Sequence, residues 1–291
     1  ARMNFALLDY LVFGAYALLI IGLGLWVSRE KRGHKKTSED YFLASKALPW
    51  WAIGASLIAS NISAEQFIGM SGSGFRVGLA IASYEWMAAI TLLVVAFFFL
   101  PIYLKKGIFT MPQFLEQRYN KQVRTLLAVF WLLVFIFVNL TSVLHLGALA
   151  MENIMGVDYW LALVGLAVFA IGYSLYGGLK AVAWTDVIQV FFLIGGGLIT
   201  TWLALDHYGG DAGVVAGFSK LMNEIPGHFS MILDEGELIY QNDTGEAKDA
   251  YQLLPGLGVL IGGLWIANLY YWGCNQYIIQ RTLAAKSLRE A

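Results

Sequence analysis

Long apolar runs that contain few charged residues dominate this chain. Seven of them are long enough to cross a membrane, at 8–27, 50–70, 79–104, 125–150, 158–177, 184–205 and 253–278. An α-helix needs about 20 largely apolar residues to cross the hydrocarbon core of a bilayer. Because hydrocarbon offers no hydrogen-bond partners, backbone inside it must be helical or form a closed barrel. The runs predict an all-α polytopic membrane protein, whose first run is an uncleaved helix rather than a signal peptide.

Composition excludes several other classes of protein. Charged residues make up 13% of the chain, against about 25% in soluble domains. No basic block resembles a nucleic-acid-binding arm, and the lysine and arginine runs lie between apolar segments, so a nucleic-acid partner is not expected. The single cysteine, Cys274, excludes an internal disulfide. No phosphate-binding loop, zinc motif or nucleophile elbow occurs, which argues against an enzyme or an ATP-driven pump.

Lysine and arginine fall after alternate runs, which fixes an orientation. Loops rich in these residues lie on the cytoplasmic side of a membrane. This rule puts the N-terminus outside the inner (plasma) membrane and places the acidic segment 206–252 on the outer side. The residues on the cytoplasmic side are then Arg29, Lys31, Arg32, Lys35, Lys36, Lys105, Lys106, Arg118, Lys121, Arg124, Lys180, Arg281, Lys286 and Arg289.

The second run contains polar residues where hydrocarbon is expected, in the segment SLIASNISAEQFIG at 56–69. On an unbroken helix Asn61 and Gln66 would point about 140° apart. A break near 59–63 would let both point inward, and would free carbonyls such as those of Ala59 and Ile62 to hold a small cation. Secondary transporters build their sites from such discontinuous helices. The alternative is a continuous helix whose small residues pack against a neighbour.

Two other runs carry polar residues that indicate a solute site. Glu85 lies within the third run, where a carboxylate costs about 2.5–3.5 kcal/mol at the bilayer centre, unless it still contacts interfacial water. In the seventh run Asn268, Tyr271, Trp272 and Asn275 have helical spacing and form one polar and aromatic stripe. Such a stripe suits a sugar or another polar ring, although an interfacial aromatic belt is the alternative.

The remaining polar positions allow structural interpretations. Thr185 or Asp186 suits the N-cap of the sixth helix, while an acid at the cytoplasmic mouth of a cation path is equally compatible. Residues 139–142 and His145 are expected to hydrogen-bond between helices. The glycine pair at 177–178 predicts a tight turn.

Several long segments resemble the sodium:solute symporter family. They are PWWAIGASLIASNISAEQFIGMSGSG, GLAIASYEWM, YSLYGGLKAVAWTDVIQVFF, IGGLWIANLYYWG and NQYIIQRTLAAKS. The resemblance runs from about residue 8 to 291 and implies a LeuT-like fold of two inverted five-helix repeats, truncated here. It also implies sodium-coupled symport of a neutral sugar of the galactose or glucose type. The implied domains are a leading helix with a basic loop (1–49), the first repeat (50–205), an acidic outer loop (206–252) and the opening of the second repeat (253–291).

The resemblance also implies roles for single residues in a sugar site. Gln66, Glu85 and Asn268 would hydrogen-bond the sugar hydroxyls. Trp272 of the stripe would also belong to the sugar-binding site. Ala88 stands where a similar member of the family has a serine near the sugar, which puts one hydrogen bond and the fine sugar preference in doubt.

Gate residues follow from the same resemblance. Tyr271 would stack on the sugar ring as the inner gate and would be held by Asn61. Met70 and Tyr84 would close the outer side.

The resemblance implies a sodium site that this chain holds only in part. The carbonyls of Ala59 and Ile62 would contribute to it, and Asp186 would lie on the sodium exit route. In the family, hydroxyl ligands from a later helix complete the site and a lysine following the seventh span contacts the sugar site, and the resemblance implies that neither is included in this sequence. The chain is therefore expected to need the missing C-terminal half, besides sugar, sodium and a lipid bilayer, and not to transport alone.

Other functions are also compatible with these residues. Within the family the solute could be proline, pantothenate, sialic acid or an inorganic anion, although a neutral hydroxyl-rich ring suits the polar set better. A solute-binding membrane sensor and a passive channel are the rivals from other classes.

Overall fold

The computed structural model describes residues 6–29, 37–242 and 244–291. The predictions for Lys31, Arg32, Lys35 and Lys36 lie outside the described residues, as does Asp243. The helices are α1 (Leu7–Val27), α2 (Ser38–Leu43), α3 (Trp50–Asn61), α4 (Ser71–Val77), α5 (Ala80–Val94), α6 (Leu100–Lys105), α7 (Met111–Arg118), α8 (Lys121–Val134), α9 (Thr141–Met155), α10 (Tyr159–Gly209), α11 (Gly213–Glu224), α12 (Gly256–Ile261), α13 (Leu264–Cys274) and α14 (Gln276–Leu283). π-helical turns occupy Glu65–Met70, Val95–Phe99 and Phe135–Leu140, and the strands are β1 (Ile239–Gln241) and β2 (Ala247–Asp249).

Helices overlap all seven predicted spans, but the second is interrupted after Asn61 and the fifth holds only the shorter apolar helix Tyr159–Gly172. Within the described ranges, four helical segments are long and apolar enough to cross a membrane, and a fifth candidate is a bent pair. The four are Leu7–Val27, Ala80–Lys105, Lys121–Met155 and Gly177–Glu224, and the bent pair is Ala250–Ile261 with Leu264–Cys274. The prediction of an all-α, multi-pass membrane protein is confirmed.

The fifth and sixth spans meet at Gly178, within α10. Gly178 has φ 59° and ψ −157°, and a Cβ atom there would lie 2.7 Å from the carbonyl oxygen of Tyr41. The predicted tight turn is therefore confirmed. The prediction that the sixth helix opens at Trp184 is wrong, because the glycine makes the turn by itself and the helix resumes directly after it. Thr185 is not an N-cap: its hydroxyl donates to the carbonyl of Val182 at 2.9 Å.

Polar residues of the fourth span form two kinds of hydrogen bond, one between helices and one within the span. Nδ1 of His145 lies 2.8 Å from the hydroxyl of Tyr159, which joins α9 to the start of α10. This contact confirms the predicted inter-helix hydrogen bond for His145. Thr141 instead donates to the carbonyl of Ile136 at 3.0 Å, five residues earlier along the same span.

The chain divides into two compact units. The first comprises Ala1–Ile68, Ala96–Val190 and Cys274–Ala291, and the second comprises Gly69–Val95 and Phe191–Gly273. Helix α14 is central to the first unit, because Ile278, Ile279 and Leu283 are buried there.

Polar contacts fasten the C-terminal segment inside this first unit. Glu290 accepts a hydrogen bond from the backbone N–H of Trp50 at 2.7 Å, at the start of α3. Oε1 of Gln276 accepts one from the N–H of Met111 at 2.7 Å, at the start of α7. Each bond satisfies one of the first-turn N–H groups that have no intrahelical acceptor.

The described part of 206–252, predicted to be an acidic outer loop and called the outer segment below, folds into regular elements within the second unit. Helix α10 continues to Gly209, and α11 and the antiparallel hairpin of β1 and β2 follow. The apolar side chains that this segment buries against α4 and α5 form a small core of Val77, Ala80, Leu233, Leu238 and Ala250.

The turn between α4 and α5 is tied to the same segment. The N–H of Leu79 donates to the carbonyl of His228 at 2.6 Å. Gly78 beside it has φ 67°, and a Cβ atom at this position would lie 2.2 Å from that carbonyl oxygen. The close approach of the two backbones requires glycine here.

Candidate substrate and cation site

The second span is interrupted where the sequence predicted it. Helix α3 ends at Asn61, and Ile62 is extended, with φ −97° and ψ 115°. The chain then resumes as the π-helical turn Glu65–Met70. The predicted break near 59–63 is confirmed, and the continuous-helix alternative is wrong.

The break removes the regular helical partners of two carbonyl groups. In a continuous helix the N–H of Ser63 would bond to the carbonyl of Ala59, and that of Gln66 to the carbonyl of Ile62. Instead the N–H of Ser63 donates to Oε1 of Gln66 at 2.8 Å. The N–H of Gln66 donates to the carbonyl of Ser63 at 3.2 Å. The two carbonyls that lose their helical donors are those the sequence singled out for a cation.

Asp186 packs against α3 just before this break. The Ser56 hydroxyl donates to Oδ2 of Asp186 at 2.5 Å. Ser56 precedes Ala59 by three residues, less than one helical turn of about 5.4 Å. Asp186 is 5% exposed, and Nη2 of Arg281 lies 3.6 Å from its Oδ2. The structure therefore brings Asp186 to the broken helix, and its role on a sodium route stays a prediction.

Helix α5 carries three of the predicted residues. Ala88 is 8% exposed, whereas Glu85 is exposed in this chain. The hydroxyl of Tyr84 is buried without a hydrogen-bond partner among the described residues. A buried hydroxyl with no partner is uncommon and needs an explanation, such as a ligand or a further segment of protein.

The seventh span is bent by 72° between α12 and α13, at Gly262–Gly263. Its interruption confirms the prediction that the second and seventh spans both lose regular winding. On α13, Tyr271 and Trp272 pack edge to face with ring centroids 5.2 Å apart. Asn268 donates from Nδ2 to the carbonyl of Leu264 at 3.2 Å.

Asn275 departs from the predicted stripe. It lies after α13 in extended backbone, with φ −74° and ψ 123°, and precedes the first residue of α14. The helical spacing that placed it beside Asn268 therefore fails, because the helix ends at Cys274. Asn275 is 4% exposed, and its Oδ1 has no partner in the described part of the chain.

The predicted residues are divided between the two units. Ala59, Asn61, Ile62, Gln66 and Asp186 belong to the first unit, and Met70, Tyr84, Glu85, Ala88, Asn268, Tyr271 and Trp272 belong to the second. Their joint action on one solute stays a prediction.

Sequence reasoning missed Ser56 and misread Arg281. Arg281 was expected as a cytoplasmic loop charge, yet it is 8% exposed, and Ser56 is fully buried. The available signal was the pattern of α14, where Ile278 and Leu283 flank Arg281 on an amphipathic helix. An arginine on the apolar side of such a helix needs a buried partner.

Interrupted spans that release backbone carbonyls at membrane depth are typical of secondary transporters. The fold and the interrupted spans therefore have the architecture typical of multi-pass membrane transporters. The chain belongs to the sodium:solute symporter family, whose model matches residues 41–291.

Individual relatives agree with this assignment. The chain is 62% identical over 284 residues to a sodium/glucose cotransporter of Vibrio parahaemolyticus, which covers 98% of the chain and 50% of the relative. It is 35% identical over 292 residues to sodium/glucose cotransporter 2 of Rattus norvegicus, covering 96% of the chain and 42% of the relative. The chain thus spans about half the length of these relatives or less.

A solved structure shows the same fold. It is a Na⁺-coupled sialic acid symporter in its substrate-bound outward-open state. The match has a TM-score of 0.79 at 24% identity and covers 99% of this chain and 55% of that one. The prediction of a LeuT-like fold is confirmed, and the assignment of single helices to repeats stays a prediction.

Proposed function

We propose that the full-length transporter carrying this chain couples sodium entry to the uptake of a neutral sugar of the galactose or glucose type by alternating access. The observation that carries the proposal is the break in α3, where the carbonyls of Ala59 and Ile62 lose their helical donors. Both residues lie within about two helical turns of Ser56, the partner of Asp186. Membership of the family and the sodium/glucose cotransporter from Vibrio support the choice of ion and solute.

Sodium is the cation that the freed carbonyls would hold. Unwound backbone carbonyls are the usual sodium ligands in transporters of this kind. The second repeat would complete the site with hydroxyl groups, as the family resemblance implies. Asp186, buried beside α3, would receive the ion on its way to the cytoplasm.

The sugar would bind through Gln66, Glu85 and Asn268. Gln66 uses Oε1 to cap the break, which leaves its Nε2 donors for a sugar hydroxyl. Tyr271 would stack on the sugar ring beside Trp272. Because Gln66 both caps the sodium-binding break and contacts the sugar, it gives a direct physical route for coupling the two ligands.

Gating would involve residues on both sides of the bound sugar. Asn61 would hold Tyr271 closed on the inner side until sodium leaves. Met70 and Tyr84 would close the outer side, and the unpaired hydroxyl of Tyr84 has the donor capacity for this. Ala88 lacks a hydroxyl, which would adjust the preference among sugars.

Location and driving force complete the proposal. The N-terminus would lie outside the inner membrane and the ordered segment after α10 on the outer face. Each sodium ion entering down a membrane potential supplies about 2.3 kcal/mol per 100 mV.

Uptake by the full-length protein in lipid vesicles tests the proposal. Radiolabelled galactose is offered with an inward gradient of sodium, potassium or choline. We expect accumulation above the external concentration only with sodium. Equal uptake with all three ions contradicts sodium coupling. Equilibration without accumulation indicates a passive channel, and absence of uptake despite sugar binding indicates a sensor.

A further inference from the structure

Three buried polar residues meet inside the first unit. Ser56 on α3 is fully buried, Asp186 on α10 is 5% exposed and Arg281 on α14 is 8% exposed. The cluster therefore joins the helix that precedes the break to the helix that follows the bent seventh span. Charged residues this deeply buried are rare unless they are paired.

The ion pair between the two charges is long, and the Ser56 hydroxyl bridges it. The Ser56 hydroxyl donates to Oδ2 of Asp186 at 2.5 Å and accepts a hydrogen bond from Nε of Arg281 at 2.7 Å. Nη1 of Arg281 donates to the carbonyl of Tyr277 on its own helix. The direct approach, from Nη2 to Oδ2, is 3.6 Å. A close charge-assisted bond is about 2.7–2.9 Å long and is often bidentate for arginine.

In this geometry the guanidinium balances the charge of the Asp186 carboxylate without forming a close hydrogen bond to it. The guanidinium stays charged at all relevant pH values, so it always supplies a positive charge here. Its hydrogen bonds to Ser56 and Tyr277 anchor it independently of Asp186. A second cation could therefore reach Asp186 if the guanidinium moved away by a small distance.

We propose that Arg281 is a tethered counter-ion that competes with the transported sodium ion for Asp186. This inference rests on the proposed function and assigns Arg281 as a positioning residue. A buried carboxylate with one cation is neutral, whereas with none or with two it carries an unbalanced charge, which is costly in a low-dielectric interior. One cation at a time is therefore favoured, and the guanidinium takes the place of sodium after the ion has left.

The chain order gives this exchange a mechanical consequence. Helix α14 carries Arg281, and only Asn275 separates it from α13, which carries Tyr271. Release of Arg281 from Asp186 would remove the contact between α14 and Asp186 of α10, while the bond of Arg281 to Ser56 is kept. Sodium occupancy at Asp186 would thereby affect the helix that bears the proposed inner gate.

Equilibrium binding of radioactive sodium to the purified full-length transporter, without sugar, tests the inference. In Arg281→Gln the competitor is lost, so we expect sodium affinity to rise by about fivefold or more, the lower end of ordinary coupling between ligands. In Asp186→Asn the further change Arg281→Gln is expected to have no effect. The exposed pair of Arg124 and Glu116 offers the control, and Arg124→Gln is expected to leave sodium affinity unchanged.

The outcomes separate this inference from the proposed function. Equal sodium affinity in wild type and Arg281→Gln overturns the competition, as does a rise that persists in the Asp186→Asn background. If wild type binds no sodium, both the proposed function and the competition fail. Should Arg281→Gln not fold, Arg281→Lys serves instead, because it keeps the charge but loses the Nε donor to Ser56. A smaller rise in affinity is then expected, and an unchanged affinity overturns the inference.

Discussion

The backbone N–H of Ser63 donates to the side-chain oxygen of Gln66 at 2.8 Å, at the point where α3 ends. This bond replaces the one that Ser63 would make to the carbonyl of Ala59 in a regular helix. A side chain proposed to bind sugar thus holds open the break proposed to bind sodium. Because both ligands depend on Gln66, loss of either ligand is expected to weaken the binding of the other.

The first prediction concerns Gln66→Ala. It removes the cap and a proposed sugar donor, so we expect a loss of stability of about 1 kcal/mol, typical of a lost cap, together with weaker sugar binding. Thermal unfolding and equilibrium binding of galactose measure the two effects. Gln113 is the matched control, since its Oε1 caps the N–H of Phe109 at 2.9 Å. Gln113→Ala is expected to lose similar stability with unchanged sugar affinity, and equal loss of affinity in both variants would refute the role of Gln66.

The second prediction concerns the stability of the buried pair Asp186 and Arg281. Removing one member leaves an unpaired buried charge, which costs about 3–5 kcal/mol, whereas removing both is close to neutral. We therefore expect the double variant Asp186→Asn/Arg281→Gln to be more stable than either single variant. Unfolding in mixed micelles measures this.

The exposed pair of Glu116 and Arg124, whose side chains are 34% and 48% exposed, provides the comparison. Neutralising either member is expected to lower the free energy of unfolding by less than about 1 kcal/mol. Additive losses in the buried double variant would show that Asp186 and Arg281 are not coupled.

The third prediction concerns Gly78→Ala. The added methyl would lie 2.2 Å from the carbonyl oxygen of His228, at a residue with φ 67°. We expect the outer segment to detach from the α4–α5 turn and become sensitive to protease. Gly107 has φ 62° but open space around its Cβ position, so Gly107→Ala is expected to cost only the backbone strain of about 1–2 kcal/mol. Equal protease resistance in both variants would contradict the steric account.

The fourth prediction concerns acid sensitivity of the outer segment. The Ser230 hydroxyl and the backbone N–H of Asp234 both donate to Glu237, and they hold its pKa below the ordinary value of 4.5. A lowered folded-state pKa stabilises the folded segment above pH 4.5, and that contribution is lost as the pH falls through the lowered pKa. We expect hydrogen exchange in this segment, corrected for intrinsic rates, to accelerate below that pH.

Ser230→Ala tests the cause of this shift. Without the hydroxyl the pKa of Glu237 rises toward its ordinary value, so part of the stabilisation at neutral pH disappears. Thr244 lies in the same segment and donates to Oδ1 of Asn242 at 2.8 Å rather than to a carboxylate. Thr244→Ala is expected to keep the acid dependence of the wild type. An identical response in the two variants would exclude Glu237 as the titrating group.

The break in the second span was predictable because polar side chains in hydrocarbon cost free energy, and because the residues concerned are neighbours in the sequence. Asn61 and Gln66 could not share one helix face, and the interruption between them is the structural answer. The glycine turn at Gly178 followed equally from local backbone chemistry.

Features that depend on distant contacts were not predictable in the same way. Arg281 counted as one more cytoplasmic charge until its packing against Ser56, 225 positions away in the chain, was known. Asn275 fitted the helical spacing of the seventh span, but the helix ends one residue before it. Periodicity alone does not show at which residue a helix ends.

Reciprocal binding to the purified full-length transporter tests the central claim most directly. The dissociation constant of galactose is measured over a range of sodium concentrations, and that of sodium over a range of galactose concentrations. Linkage requires each ligand to raise the affinity of the other by the same factor. We predict such a matched increase, and its loss in Gln66→Ala. Galactose affinity that is identical in sodium and in choline would contradict the account.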